Sequence, residues 1–125
     1  MLFRSRPPLV AFNLELGEPD LETAKAIAAE VREAGGGLPG VRAIGVMLER
    51  VGSAQVSINV QDPFEVPLAA VVQAAREAAK RHRAEIRAGE LVGLAPEAAL
   101  DGFPADLELK GFVRRAPGGR YVPVA

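Results

Sequence analysis

Two stretches of this chain alternate between apolar and polar side chains with a period of two. In Val10-Ala-Phe-Asn-Leu-Glu-Leu16, Phe12, Leu14 and Leu16 fall on one face and Asn13 and Glu15 on the other. In Ala54-Gln-Val-Ser-Ile-Asn-Val-Gln61, Val56, Ile58 and Val60 oppose Gln55, Ser57, Asn59 and Gln61. Successive side chains of a strand point to opposite faces, so both runs predict strands with one buried face and one face of amides, a hydroxyl and a carboxylate. Such a polar face suits either a polar ligand or a partner sheet.

Between the two runs the period changes. Asp20 can accept the first free amide hydrogens of a helix over about residues 21–34, with Leu21, Ala24, Ala28 and Val31 as its apolar stripe and Gly35-Gly-Gly37 as its stop. Pro39-Gly40 then leads into a strand over residues 41–50, in which Ile44, Val46 and Leu48 alternate with Gly45, Met47 and Glu49. The short Val51-Gly52-Ser53 connection turns it back as an antiparallel hairpin. After Pro63, Pro67 stands ahead of a second helix from Leu68 to about Arg83, striped by Leu68, Val71, Val72, Ala75 and Ala79. Ala84 to Val92 reads as a fourth strand and Pro96 to Leu100 as a helical turn.

The order β-α-β-β-α-β is that of the ferredoxin-like split βαβ motif. Its four-stranded antiparallel sheet carries both helices on one face and has the first and third strands at its centre. The expected class is therefore α+β, with a polar row running mid-sheet. Phe12, Leu14, Ile44, Val46, Val56 and Ile58 are expected to face the helices, and Gly45 and Met47 to lie beside the amides on the open face. We read residues 1–125 as one domain, with a core over about 8–100 and an irregular tail over 101–125, in which Leu107 to Val113 can add a strand before a turn at Tyr121-Val122.

Composition narrows the class without naming a chemistry. An apolar content of 49% with 25% charged residues is that of a globular domain, and a net charge of −1 gives no basic field for nucleic acid or anionic lipid. The absence of cysteine removes thiol nucleophiles and thiolate metal sites. No apolar run is long enough to span a bilayer and the start lacks a secretory pattern, so a cytoplasmic location is expected, with no membrane and no nucleic-acid partner. RNA stacking on the open face is disfavoured because its central positions are Asn13, Ser57 and Asn59, whereas Phe12 has the opposite parity.

Catalytic motifs are missing. The single histidine, His82, lies between Arg81 and Arg83 at the end of the second helix, where a cation favours the helix dipole, and no nearby sequence pattern supplies an orienting carboxylate. Metal-ligand spacing, a nucleophilic serine motif and a phosphate loop are all absent, so no catalytic residue and no metal are assigned.

Three runs occur in a characteristic order: Leu9-Val-Ala-Phe-Asn-Leu, then Val41-Arg-Ala-Ile-Gly-Val with Ala54-Gln-Val-Ser-Ile-Asn-Val, then Gly89-Glu-Leu-Val-Gly-Leu-Ala-Pro-Glu-Ala-Ala-Leu100. Over residues 8–100 this resembles the C-terminal subdomain of glutamate formiminotransferase, a folate enzyme of histidine degradation. The resemblance implies a chain that helps move a formimino group between N-formiminoglutamate and tetrahydrofolate, the latter acting as substrate and held between two α/β subdomains. It places the catalytic histidine in an N-terminal half, which would be the partner, so His82 does not inherit that role. A methionine ahead of the first strand suits a separately encoded half. The ligand-binding residues carried over are Asn13, Gln55, Asn59 and Glu90; Glu90 is equally compatible with accepting backbone amides near Pro96. The tail after Leu100 departs from the family's longer helical continuation. A stand-alone binding or regulatory module, forming a homo-oligomer through its open sheet face, is the alternative.

Overall fold

The computed structural model describes residues 9–32, 35–111, 113–115, 117 and 121–123. Strand β1 (Val10–Leu16) is followed by helix α1 (Leu21–Val31), strands β2 (Val41–Leu48) and β3 (Ser53–Val60), helix α2 (Leu68–Arg81) and strand β4 (Ile86–Val92). A short 3-10 turn (Glu97–Leu100) leads into β5 (Glu108–Lys110), β6 (Val113–Arg115) and β7 (Tyr121–Pro123). The sheet order is β2-β3-β1-β4-β5, with β6 and β7 forming a separate antiparallel pair. The βαββαβ core is thus antiparallel with β1 and β3 central, and the tail adds β5 parallel to β4, making a five-stranded mixed sheet.

Local chemistry sets the helix boundaries. The Asp20 carboxylate accepts from the Thr23 backbone N–H and from the Thr23 hydroxyl, which holds the Asp20 carboxyl below its ordinary value. The end of α1 is closed when Gly37 N–H donates to Arg32 O and Leu38 N–H to Val31 O, at 2.9 and 3.0 Å. Residues 33 and 34, the expected last positions of this helix, lie outside the described residues. At the end of α2, Arg83 takes the left-handed conformation with φ of 56°, and Ala84 N–H donates back to Ala79 O at 2.8 Å.

The core lies between the sheet and the two helices. Phe12, Leu14, Val56, Ile58 and Val60 are buried against Ala24, Ile27, Val31, Leu68, Val71 and Ala75. Ile27 replaces Leu21 in the α1 stripe, since Leu21 is only half-buried at the first turn. From the tail, Phe103 packs edge-to-face on Phe12, with ring centroids 6.1 Å apart.

Strand β2 reverses the parity expected from its sequence. Val41 and Ala43 face the core, Gly45 and Met47 share their side, and Ile44 points outward with 59% of its surface exposed. Val46, expected inside, has the same outward parity as Ile44. Ile44, Val46 and Leu48 therefore lie on the open face, and Gly45 and Met47 do not. The cause is helix packing: a Cβ on Gly45 would sit 2.5 Å from Lys25 N and 2.7 Å from Ala24 C, so the glycine must face α1 for the helix to lie this close.

Candidate functional site

The register of the sheet fixes which polar groups meet on its open face. Asn13 of β1 lies opposite Ser57 of β3 and Glu90 of β4, and Glu90 is aligned with Lys110 of β5. One row along, Gln55 lies opposite Glu15. A cavity of about 280 Å³ opens over these rows, lined by Asn13, Glu15, Ser53, Gln55, Glu90 and Lys110 together with Val51 from the hairpin tip. Asn13, Gln55 and Glu90 are thus brought together. Asn59 is not: it lies opposite Ala11 and Arg42, exposed on the same face but outside the cavity.

Hydrogen-bonding capacity is unevenly used within this cavity. Gln55 is 9% exposed, and its Nε2 donates to Ser53 Oγ at 3.4 Å, which leaves its carbonyl oxygen to accept from elsewhere. Among the described residues, the Asn13 and Glu90 side chains have no hydrogen-bond or ion-pair partner. Glu15 differs. Its carboxylate accepts from the Arg87 guanidinium, and its other oxygen lies 3.9 Å from Lys110 Nζ. The Glu15 hydrogen bond, reinforced by the Glu15 charge, holds the Arg87 guanidinium above its ordinary value.

The sequence placed Glu15 on the polar face but gave no sign of its two cations. Arg87 reaches Glu15 at a register shift, where Glu15 pairs with Ala88 and Leu16 with Ile86, so Arg87 is the extra residue of a bulge. Lys110 reaches the face through the parallel pairing of β5, which involves only three residues and has no alternating signature. A search for polar positions at the strand-forming end of the tail is the one signal that could have found it.

His82 caps α2 and does not line this cavity. It does have a carboxylate: His82 Nε2 lies 2.6 Å from Glu30 Oε2, while Arg81 Nε donates to Glu30 Oε1 at 2.8 Å. The His82 hydrogen bond, followed by that of Arg81, holds the Glu30 carboxyl below its ordinary value. Glu30 comes from the other helix, 52 positions away in sequence, which is why local spacing did not reveal it. The trio joins the C-terminal ends of the two helices.

A larger groove, of about 830 Å³, runs beside α2 and is walled by Arg76, Lys80, Glu85, Ile86, Pro104 and Asp106 among others. It contains none of the polar-row residues, and Arg76 and Asp106 pair across it at 3.1 Å. Among the described residues no group of histidine, aspartate and glutamate side chains could hold a metal ion, and no helix is long and apolar enough to cross a membrane.

Comparison with known proteins gives this polar-faced βαββαβ sheet its family. Residues 11–103 match the formiminotransferase domain, and the chain belongs to that family. It is similar to the glutamate formimidoyltransferase of Streptococcus pyogenes serotype M1, 38% identical over 96 residues that cover 77% of this chain and 32% of the relative. Similarity to the glutamate formimidoyltransferase of Thermoplasma acidophilum is 32% identity over 109 residues, covering 86% of this chain and 36% of the relative. The chain spans about a third of the length of these relatives.

Proposed function

We propose that this chain is the C-terminal, folate-binding half of a glutamate formiminotransferase and forms one wall of the site where a formimino group passes between N-formiminoglutamate and tetrahydrofolate. The observation that carries this reading is the convergence of Asn13, Gln55 and Glu90 on one open-face cavity, in a chain of the formiminotransferase family. A reduced pterin presents N–H donors beside a carbonyl acceptor. Glu90 would accept from such donors, Gln55 would accept through its remaining carbonyl oxygen, and Asn13 would bond in either sense. Asn59 would extend the polar surface toward the more distant part of the ligand.

The role is one of binding and orientation. Moving the formimino carbon between two nitrogens requires a group that takes and returns protons. His82, committed to Glu30 at the helix ends, does not face the cavity. An N-terminal formiminotransferase half would supply the histidine, and the isolated chain is expected to show no turnover.

Calorimetry with 5-formyltetrahydrofolate, with and without such a half, tests the reading. Binding should be weak alone or appear only with the partner, and Asn13→Ala should weaken it by about 0.5–1.5 kcal/mol for one lost neutral hydrogen bond. No binding in either setting, or binding indifferent to Asn13→Ala and Glu90→Gln, would overturn it. Turnover by the chain alone would overturn the assignment of chemistry to the other half. The alternative of a stand-alone module that assembles through its sheet draws on one observation: Ile44, Leu48 and Val92, at 59, 43 and 52% exposure, share this face with the amides.

A further inference from the structure

Strand β5 brings a cation to the open face that the pterin contacts leave unused. Leu109, aligned with Gly89, packs against the core, which turns Glu108 and Lys110 to the open side. The tail is held close to β4 at this point: Gly111 has a φ of 120°, and a Cβ there would lie 2.4 Å from Leu91 O. Lys110 lies beyond residues 11–103, the segment that matches the family, so its role is read from its place in the sheet.

The charge of Lys110 is not consumed by its neighbours. Glu15 is the one carboxylate within ion-pair range of it among the described residues, and at 3.9 Å that contact is beyond hydrogen-bond reach. The Arg87 guanidinium already donates to Glu15. Glu90, although aligned with Lys110, does not pair with it. The half-exposed Lys110 ammonium therefore keeps its N–H donors available in the cavity that Asn13, Gln55 and Glu90 also line. Once a second half covers this face and displaces its water, an ammonium there without a counter-ion is costly.

We propose that Lys110 binds the α-carboxylate of N-formiminoglutamate and so selects the glutamate partner of the transfer. The inference rests on the folate reading given above. With the pterin held by Glu90, Gln55 and Asn13, the formimino carbon must come within bonding range of a pterin nitrogen. The α-carboxylate is a few bonds from that carbon and arrives beside the same residues, where the Lys110 ammonium meets it in a charge-assisted bond. The carboxylates of tetrahydrofolate lie elsewhere. An aromatic spacer separates them from the pterin, and Asn59, toward which that part of the ligand is directed, stands on β3, across β1 from Lys110.

Calorimetry on the complex of the chain with an N-terminal half, titrated separately with N-formiminoglutamate and with 5-formyltetrahydrofolate, tests this. Lys110→Gln should weaken N-formiminoglutamate binding about ten- to a hundredfold, the loss of one charge-assisted bond, and leave 5-formyltetrahydrofolate within about twofold. Lys110→Arg should restore most of the loss. N-formimino-4-aminobutyrate, the same ligand without its α-carboxylate, should bind the wild type as weakly as N-formiminoglutamate binds Lys110→Gln, and should be indifferent to the substitution. Its comparison on the wild type needs no variant to fold. N-formiminoglutamate binding indifferent to Lys110→Gln or to removal of the α-carboxylate, or an equal loss for both ligands, would overturn the inference. The folate reading would then still stand on weakening of 5-formyltetrahydrofolate binding by Asn13→Ala, whereas no binding of either ligand would overturn both.

Discussion

Along β1, Val10, Phe12 and Leu14 are wholly shielded from solvent, while Asn13 and Glu15, alternating with them, look onto the open face. The helix-covered parity is filled by van der Waals contact and has no polar side chain to satisfy. On the open parity, Glu15 is paired, Gln55 is half used, and Asn13 and Glu90 are uncommitted among the described residues. One strand thus contributes to stability through alternate residues and, in the function proposed above, to recognition through the residues between them. Substitutions on the two parities should therefore separate folding from binding.

The largest effect should come from the covered face. Ile58→Asp would bury an uncompensated carboxylate and should cost about 3–5 kcal/mol, read as a large drop in the urea midpoint; wild-type-like unfolding would reverse the assignment of the two faces. Gly45→Val comes next. Its Cβ would meet the α1 backbone, which cannot rotate aside, and the cost should reach about 1–3 kcal/mol or more. A neutral result would show that α1 does not lie against β2 as described.

Glu30, away from both faces, should matter less and in a pH-dependent way. Its carboxyl is held below its ordinary value of 4.5, so the stability it contributes is fully present above that pH and is lost as pH falls through the lower folded value. Because Glu30 is one-third exposed, solvent screens the pair, and Glu30→Gln should cost about 1 kcal/mol or less at neutral pH, with a flatter acid limb in the variant's stability profile. The smallest change is expected for Ile44→Asp. At this exposed position it should shift stability by within about 0.5 kcal/mol, in contrast to the same substitution at Ile58.

That last pair marks where the sequence was legible and where it was not. In β1 and β3, apolar and polar residues alternate, so the pattern alone set strand, face and core. In β2 both parities are apolar, and alternation cannot say which faces in. The deciding residue is Gly45, whose missing side chain carries no hydrophobic signal yet admits α1. The candidate site divides in the same way. Asn13 and Gln55 could be placed on the polar face by period and Glu90 was reached through the family resemblance, but Arg87 arrives through a bulge and Lys110 through a three-residue parallel pairing. Both depend on long-range register, which is a property of the assembled sheet.

The strand order β2-β3-β1-β4 also has a consequence in time. β2 and β3 are neighbours in both sequence and space, so their hairpin can close as soon as Val60 has been made. β1, although synthesised first, lies between β3 and β4 and gains its second neighbour only when the chain has extended to Val92. Until then its Asn13 edge is an open template, and non-local pairings of this kind are formed slowly. The strand that bears the middle of the polar row is therefore the one that must wait longest, during synthesis, for its place in the sheet to be complete.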